Sequence, residues 1–234
     1  SVVYGVNKSF SVTGKLETTR YGVDYAGVIT VVIKDKDGNE IFKNTTIPNN
    51  GNFTVPVNIS LWNASVYTIT VSGAADANYD DLSPVNASLN IAKAQFEIGI
   101  GSIKGQTIDN VKVDEHGIVT INVSNIPKDG EYTNGIISVN LTDVAGKEFS
   151  INVPVADGTN VIELPILPVG TYTVTAQYMG NVNYNKSKLV SKSFSVTKWN
   201  ATDLQKLIDE TPENETLTLT HDFELEDGPV NVTK

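Results

Sequence analysis

The chain has 234 residues, no cysteine and a formal net charge of −10. The missing cysteines exclude disulfides, thiol catalysis and cysteine-ligated metal, and the negative charge argues against nucleic acid, whose binding rests on Lys and Arg neutralising phosphates. No apolar run approaches the ~20 residues of a membrane-spanning helix, and the length suits about two domains of ~100 residues.

In chain order, residues 1–5 already read as strand. Residues 9–16 alternate, with Phe10, Val12 and Leu16 on one face and Ser9, Ser11, Thr13 and Lys15 on the other. Gly14 predicts a bulge there. Residues 17–24 form a polar loop and 26–33 a β-branched strand. Asp35, Asp37 and Gly38, set between apolar alternations, signal a hairpin. Its return strand begins at Ile41 and Phe42. Phe53, Val55 and Val57 mark the next strand, and 58–64 a loop holding Trp62.

The plan then repeats. Phe96, Ile98 and Ile100 open a strand, 118–123 match 10–16, and 136–141 match 29–33. Asp143, Gly146 and Glu148 repeat Asp35, Gly38 and Glu40. Leu164-Pro165-Ile166 repeats Val55-Pro56-Val57. Proline cannot donate to a ladder, so both strands are expected at a sheet edge or bulge. Residues 199–234 depart from the plan. Thr202 and Gln205 form a capping-box pattern. Leu204, Leu207 and Ile208 share a helical face, Pro212 follows as a stop signal, and 216–225 reads as strand.

The clearest internal signal is that 65–93 and 170–198 align without a gap at an offset of 105 residues. Tyr67, Thr68, Thr70, Asn78, Tyr79, Val85, Ser88 and Lys93 recur as Tyr172, Thr173, Thr175, Asn183, Tyr184, Val190, Ser193 and Lys198. Each copy is an alternating strand, a turn rich in Gly, Asn and Asp, and a closing strand. Gly170-x-Tyr172-x-Val174 resembles the tyrosine corner of immunoglobulin-like sandwiches, in which a Tyr hydrogen-bonds to upstream backbone. Tyr67 is its partner in the first copy. Ile69 and Val174 stand where antibody domains carry cysteine, so apolar packing must replace the disulfide. The expected fold is all-β: two tandem immunoglobulin-like β-sandwiches over 1–93 and 94–198. A short helix–strand segment over 199–234 would open a truncated following domain. With no signal-peptide pattern and a chain that stops in mid-pattern, a piece of a longer polypeptide is expected.

Catalytic chemistry finds little footing. His116 lies in a turn before a strand and His221 lies outside the repeats; no nucleophile elbow, phosphate loop or zinc helix motif occurs. No enzyme activity and no cofactor is expected. Calcium is the one metal ion to weigh, at one acidic loop only. Gly38 sits fourth in its loop, where an EF-hand loop needs glycine sixth, so a hairpin is the reading there. Asp76, Asp80 and Asp81 form a second acidic loop, but their counterparts are Asn181, Asn185 and Lys186. Trp62, Tyr21 and Tyr25, in or near loops, are candidates for a saccharide platform or for plugs at a sandwich end. Lys15 is on the outward face, so an internal Lys–Asn crosslink is not expected.

Asn-x-Ser/Thr occurs at Asn7, Asn44, Asn52, Asn58, Asn63, Asn86, Asn122, Asn140, Asn185, Asn200, Asn214 and Asn231. With 24 Asn and 40 Ser plus Thr, chance gives about four such triplets rather than twelve. These are candidate N-glycosylation sites of a surface protein.

The tandem Gly-x-Tyr-x-Val, Asn-Tyr and Phe-x-Val units resemble the immunoglobulin-like repeats of archaeal and bacterial adhesin-like surface proteins. Ala201-Thr-Asp203-Leu204, Leu207-Ile208-Asp209 and the Leu217–Phe223 run look like the opening of the parallel β-helix domains in methanogen adhesin-like proteins. The resemblance implies a non-enzymatic stalk or adhesion module of a larger extracellular, cell-wall-associated protein. Its partner would be a protein or glycan on a host or partner cell, with no nucleic acid and no membrane span in this stretch. The alternative is a carbohydrate-binding accessory module of a β-helix polysaccharide-acting enzyme. The resemblance leaves oligomeric state open and carries over no functional residue.

Overall fold

The computed structural model describes residues 2–17, 23–127, 131–156, 158–226 and 229–231, with the backbone alone at 131. The polar loop expected at 17–24 lies mostly outside them. The chain forms two units: Ser1–Gln95 with Ile126–Tyr132 and Gly180–Asn185, and Phe96–Asn125 with Thr133–Met179 and Lys186–Lys234.

In the first unit the strands are β1 (Val2–Val3), β2 (Ser9–Lys15), β3 (Ile29–Lys34), β4 (Glu40–Thr46), β5 (Asn52–Asn58), β6 (Ser65–Gly73) and β7 (Leu82–Ala92). They make one sheet of order β1-β7-β6-β3-β4 and a second of order β2-β5. Alternation places the core. Phe53, Val55 and Val57 are buried while the residues between them are exposed. Ile29, Val31 and Ile33 of β3 are buried likewise, as are Tyr67, Ile69, Leu89 and Ile91. Branched and aromatic side chains at period two suit a pleated, half-buried surface.

The β3–β4 connection is the expected hairpin. Asp35 accepts from the backbone N–H of Asp37 and of Asn39, both at 2.9 Å, and Gly38 takes φ +86°. Two expectations fail nearby. The β2–β5 ladder runs unbroken through Gly14, so there is no bulge. A Cβ at Gly14 would lie 2.2 Å from the Phe53 ring; the glycine makes room for that ring. The strand expected from residue 26 begins at Ile29. Ahead of it Gly27 lies against the Tyr25 ring, and the Tyr25 hydroxyl donates to the Ala74 carbonyl.

The second unit holds β8 (Glu97–Gly105), β9 (Val111–Lys112), β10 (His116–Ser124), β11 (Ile136–Asp143), β12 (Glu148–Pro154), β13 (Thr159–Ile166), β14 (Gly170–Tyr178) and β15 (Val190–Thr197). Their sheets have orders β12-β11-β14-β15-β9 and β13-β10-β8. Register ties the copies together. Tyr67 stands opposite Leu89, and Tyr172 opposite Phe194. β1 pairs in parallel with β7, and β9 in parallel with β15. Asp143 repeats the Asp35 turn, accepting from Ala145 and Lys147 N–H, both at 2.9 Å. Pro56 and Pro165 both lie on edge strands, β5 and β13, as a missing N–H demands.

The remaining elements are β16 (Trp199–Asn200), α1 (Ala201–Glu210) and β17 (Phe223–Glu224). The helix exists, but its capping box is not Thr202 with Gln205. Asn200 is the N-cap, accepting from Asp203 N–H at 3.0 Å, and the Asp203 carboxylate accepts from Asn200 N–H at 3.0 Å. The start is set two residues earlier because Trp199 is buried and Asn200 is held extended by pairing with β17. The strand expected over 216–225 shrinks to Phe223–Glu224. Among the described residues Leu217 and Leu219 have no neighbouring strand to pair with, and a strand needs one.

Candidate functional site

The repeated corners come first. The Tyr67 hydroxyl donates to the Asn63 carbonyl at 2.8 Å, and the Tyr172 hydroxyl to the Pro168 carbonyl at 2.9 Å. Each reaches back four residues and satisfies an otherwise orphaned main-chain acceptor. Burial holds both phenols above their ordinary value, with a smaller push from Asp35 on Tyr67 and from Asp143 on Tyr172. Each corner thus has its own hairpin's aspartate as the nearby charge.

The acidic loop uses its carboxylates internally. Asp76 accepts from the N–H groups of Asn78 at 2.7 Å, Tyr79 at 2.8 Å and Ala26 at 2.7 Å. Those bonds, Ala26 foremost, hold its carboxyl below the usual range. Asp81 accepts from Ala75 N–H at 2.7 Å. Asn181 rebuilds the turn, accepting from Asn183 and Tyr184 N–H, both at 2.8 Å. An amide oxygen suffices, so the charge is not what shapes the loop. Among the described residues no group of three or more His, Asp and Glu side chains is placed to hold a metal ion.

Among the described residues the two histidines face carbonyl and carboxylate oxygens and an aromatic ring. His116 Nδ1 lies 2.7 Å from the Leu164 carbonyl and 3.3 Å from Glu163. His221 stacks on Trp199 at 4.3 Å between ring centroids. Among the described residues Tyr25 and Trp62 do not form a platform. Tyr25 is buried, Trp62 packs on Tyr67 with centroids 5.0 Å apart, and Tyr21 lies outside the described residues.

Ten of the twelve sequon asparagines are exposed; Asn140 and Asn200 are half-buried. Asn140 sits on the outer face of β11, accepting from the Ser150 hydroxyl at 2.6 Å. Asn200 is occupied as the helix cap. Asn63 accepts from the Asn183 side-chain amide at 3.0 Å. The Thr of the Asn231 triplet lies outside the described residues.

Sequence reasoning missed one cluster. Lys112 and Asp203 are paired with side chains 3% and 9% exposed. Lys112 also donates to the Thr197 hydroxyl at 3.0 Å and the Lys198 carbonyl at 3.2 Å, and lies 5.9 Å from the Trp199 ring centroid. The Trp199 indole N–H donates to Asp114 at 3.0 Å. In the first unit Val3 takes the place of Lys112, facing β7 as Lys112 faces β15. No local pattern distinguishes a buried lysine in a two-residue strand. The signal was only that a charged residue follows Val111 where its counterpart is apolar.

The fold defines an all-β protein of two immunoglobulin-like sandwiches with a docked helix. No protein-family model and no curated protein matches the chain. Among solved structures it is similar to a tetra-tandem repeat in the extending region of a large adhesion protein, at 18% identity and TM-score 0.45 over 82% of this chain. It spans 47% of that protein's chain. A two-domain fibronectin type-III segment of chicken tenascin aligns at 14% identity and TM-score 0.40, over 83% of this chain and 96% of that one. The BSP domain of a biofilm-associated protein aligns at 18% identity and TM-score 0.25, over 84% of this chain and 28% of that one.

Proposed function

We propose that this chain is a non-enzymatic, adhesin-like stalk and adhesion module of a larger extracellular protein. The observation that carries the reading is the register-matched repeat: two sandwiches with the same edge prolines, hairpin aspartates and corner tyrosines. Repeating one self-contained unit lengthens a spacer without new chemistry. Exposed sequon asparagines, read as N-glycosylation sites, suit a surface location. The partner is a protein or glycan on another cell or surface, met by loops or sheet edges. A carbohydrate-binding accessory module is the weaker reading, because Tyr25 is buried and Trp62 packs on Tyr67.

Three measurements test it. Labelling intact source cells with an antibody to the chain should stain the surface, and glycopeptide mass spectrometry should find modified sequons. Beads coated with the chain should adhere to whole cells more than beads coated with an unrelated sandwich. An intracellular location, or turnover of a substrate by this chain, defeats the reading.

A further inference from the structure

One buried carboxylate has an oxygen that nothing answers. Glu115 lies between β9 and β10 and is 5% exposed. Its Oε2 accepts from Thr107 N–H at 3.3 Å. Its Oε1 is buried and, among the described residues, has no hydrogen-bond partner. Other acids of the chain are served: Asp76 and Asp81 accept main-chain N–H groups, and Asp203 meets Lys112. A carboxylate oxygen withdrawn from water with neither a donor nor a cation beside it is strongly disfavoured.

The nearest neighbours of Oε1 deepen the problem, because they too are acceptors. Strand β8 ends at Gly105, and residues 106–110 lead from there to β9. A Cβ at Gly105 would lie 2.1 Å from Glu115 Oε1, 2.5 Å from the Asn110 carbonyl oxygen and 2.9 Å from the Ile108 carbonyl oxygen. Three oxygens thus converge beside the Gly105 Cα, where only glycine fits. Carboxylate and carbonyl oxygens donate no hydrogen bond, so they cannot satisfy one another, and their charges repel. The fold holds them there all the same. Ile108 is buried and fixes the loop. Asp114 takes φ +69° and accepts from the Trp199 indole N–H at 3.0 Å, which turns the chain at Glu115 back toward the end of β8.

We infer that Glu115, with the main-chain carbonyls of Ile108 and Asn110, forms a cation site, and that its ion is calcium. The donors are all hard oxygens, with no nitrogen or sulfur, which disfavours zinc and copper. Calcium accepts irregular shells of about six to eight oxygens at about 2.3–2.6 Å, whereas magnesium demands a near-ideal octahedron that loop carbonyls do not supply. Asp109 and Asn110 are exposed, so water reaches the loop and completes the shell. Lys112 does not compete, since its ammonium is paired with Asp203. A single carboxylate makes a weak site, with a Kd of about 0.1–1 mM, the range of extracellular modules. Bound there, the ion clamps the end of β8 to the start of β10. The site is separate from the Asp76 loop, whose carboxylate is engaged by N–H groups.

The test uses the intact 234-residue chain, stripped with EDTA and held in ~150 mM NaCl. On titration with CaCl2, the NMR amide signals of Gly105, Ile108, Asn110 and Glu115 should shift saturably with a Kd of about 0.1–1 mM. The thermal midpoint should rise by about 3 °C or more at ~10 mM calcium. MgCl2 should act at least ~10-fold more weakly. E115Q keeps the side-chain shape and offers an amide that can donate to the two carbonyls. It should fold normally by circular dichroism and bind calcium at least ~10-fold more weakly, having lost the site's one carboxylate. D76N should respond to calcium as the parent chain does. The inference is overturned if the 105–115 amides do not move, if the shifts centre on the Asp76 loop, if magnesium matches calcium, or if E115Q responds like the parent. Should E115Q not fold, the parent titration decides by itself.

Discussion

Lys112 and Asp203 form an ion pair almost wholly withdrawn from water, and it fastens helix α1 to the second unit's own sheet edge. Asp203 serves twice, as the partner of Lys112 and as the capping acceptor for Asn200 N–H. Removing one partner strands a buried charge, whereas removing both does not. K112M is expected to destabilise the second unit by about 3 kcal/mol, and K112M/D203L by clearly less than K112M and D203L summed. Urea unfolding of the four proteins checks this; strict additivity would show that the two groups do not act as a pair.

Trp199 is the apolar half of the same attachment. It is fully buried, stacked on His221 and in contact with Phe223 at 5.5 Å between centroids. W199A should cost about 3–5 kcal/mol in that attachment, from lost transfer energy and the cavity left behind. Limited proteolysis should then cut within 201–226 while β14 and β15 stay intact. Unchanged resistance would mean the segment is held by other contacts.

The corner tyrosines make a paired prediction. Y67F and Y172F each remove one hydrogen bond and leave a carbonyl unpaired, at a cost of about 1 kcal/mol. The pH dependence has a definite sign. Burial raises both phenols above 10.0, so the folded state favours the protonated form. That stability is fully present below pH 10 and is lost as pH rises through the folded values. Thermal melts between pH 9 and pH 11.5 should fall for the parent chain and fall less steeply for the double Phe variant. Parallel slopes would exclude the tyrosines as the cause.

Asp76 and Asn181 hold the same turn with different chemistry. D76N should keep the bonds to Asn78 and Tyr79, as Asn181 keeps its own, and weaken only the contact to Ala26 N–H. D76A should lose all three and loosen the loop more. Hydrogen-bond donation lowers the Asp76 carboxyl below 3.8, so its contribution is present above that value and fades as pH falls through the folded one. NMR exchange of the Asn78 and Tyr79 amides should rank D76A fastest, then D76N, then the parent chain. Equal rates in the two variants would refute the role given to the amide oxygen.

Alternation at period two is local, so Phe53, Val55 and Val57 announced both a strand and its buried face before any contact was known. The 105-residue offset made the two corners legible in the same way, and proline's missing N–H put β5 and β13 at sheet edges. Long-range placement decided the rest. Asn200 rather than Thr202 caps the helix because Trp199 is buried and Asn200 pairs beside β17. Lys112 is buried because β9 lies against β15 and Asp203 waits there, a meeting of residues 91 apart in the chain. Gly14 proved to be space for Phe53, which only the β2–β5 pairing brings to it. Periodicity along a strand sets which side chains face inward, but which residues meet them depends on what the fold brings alongside.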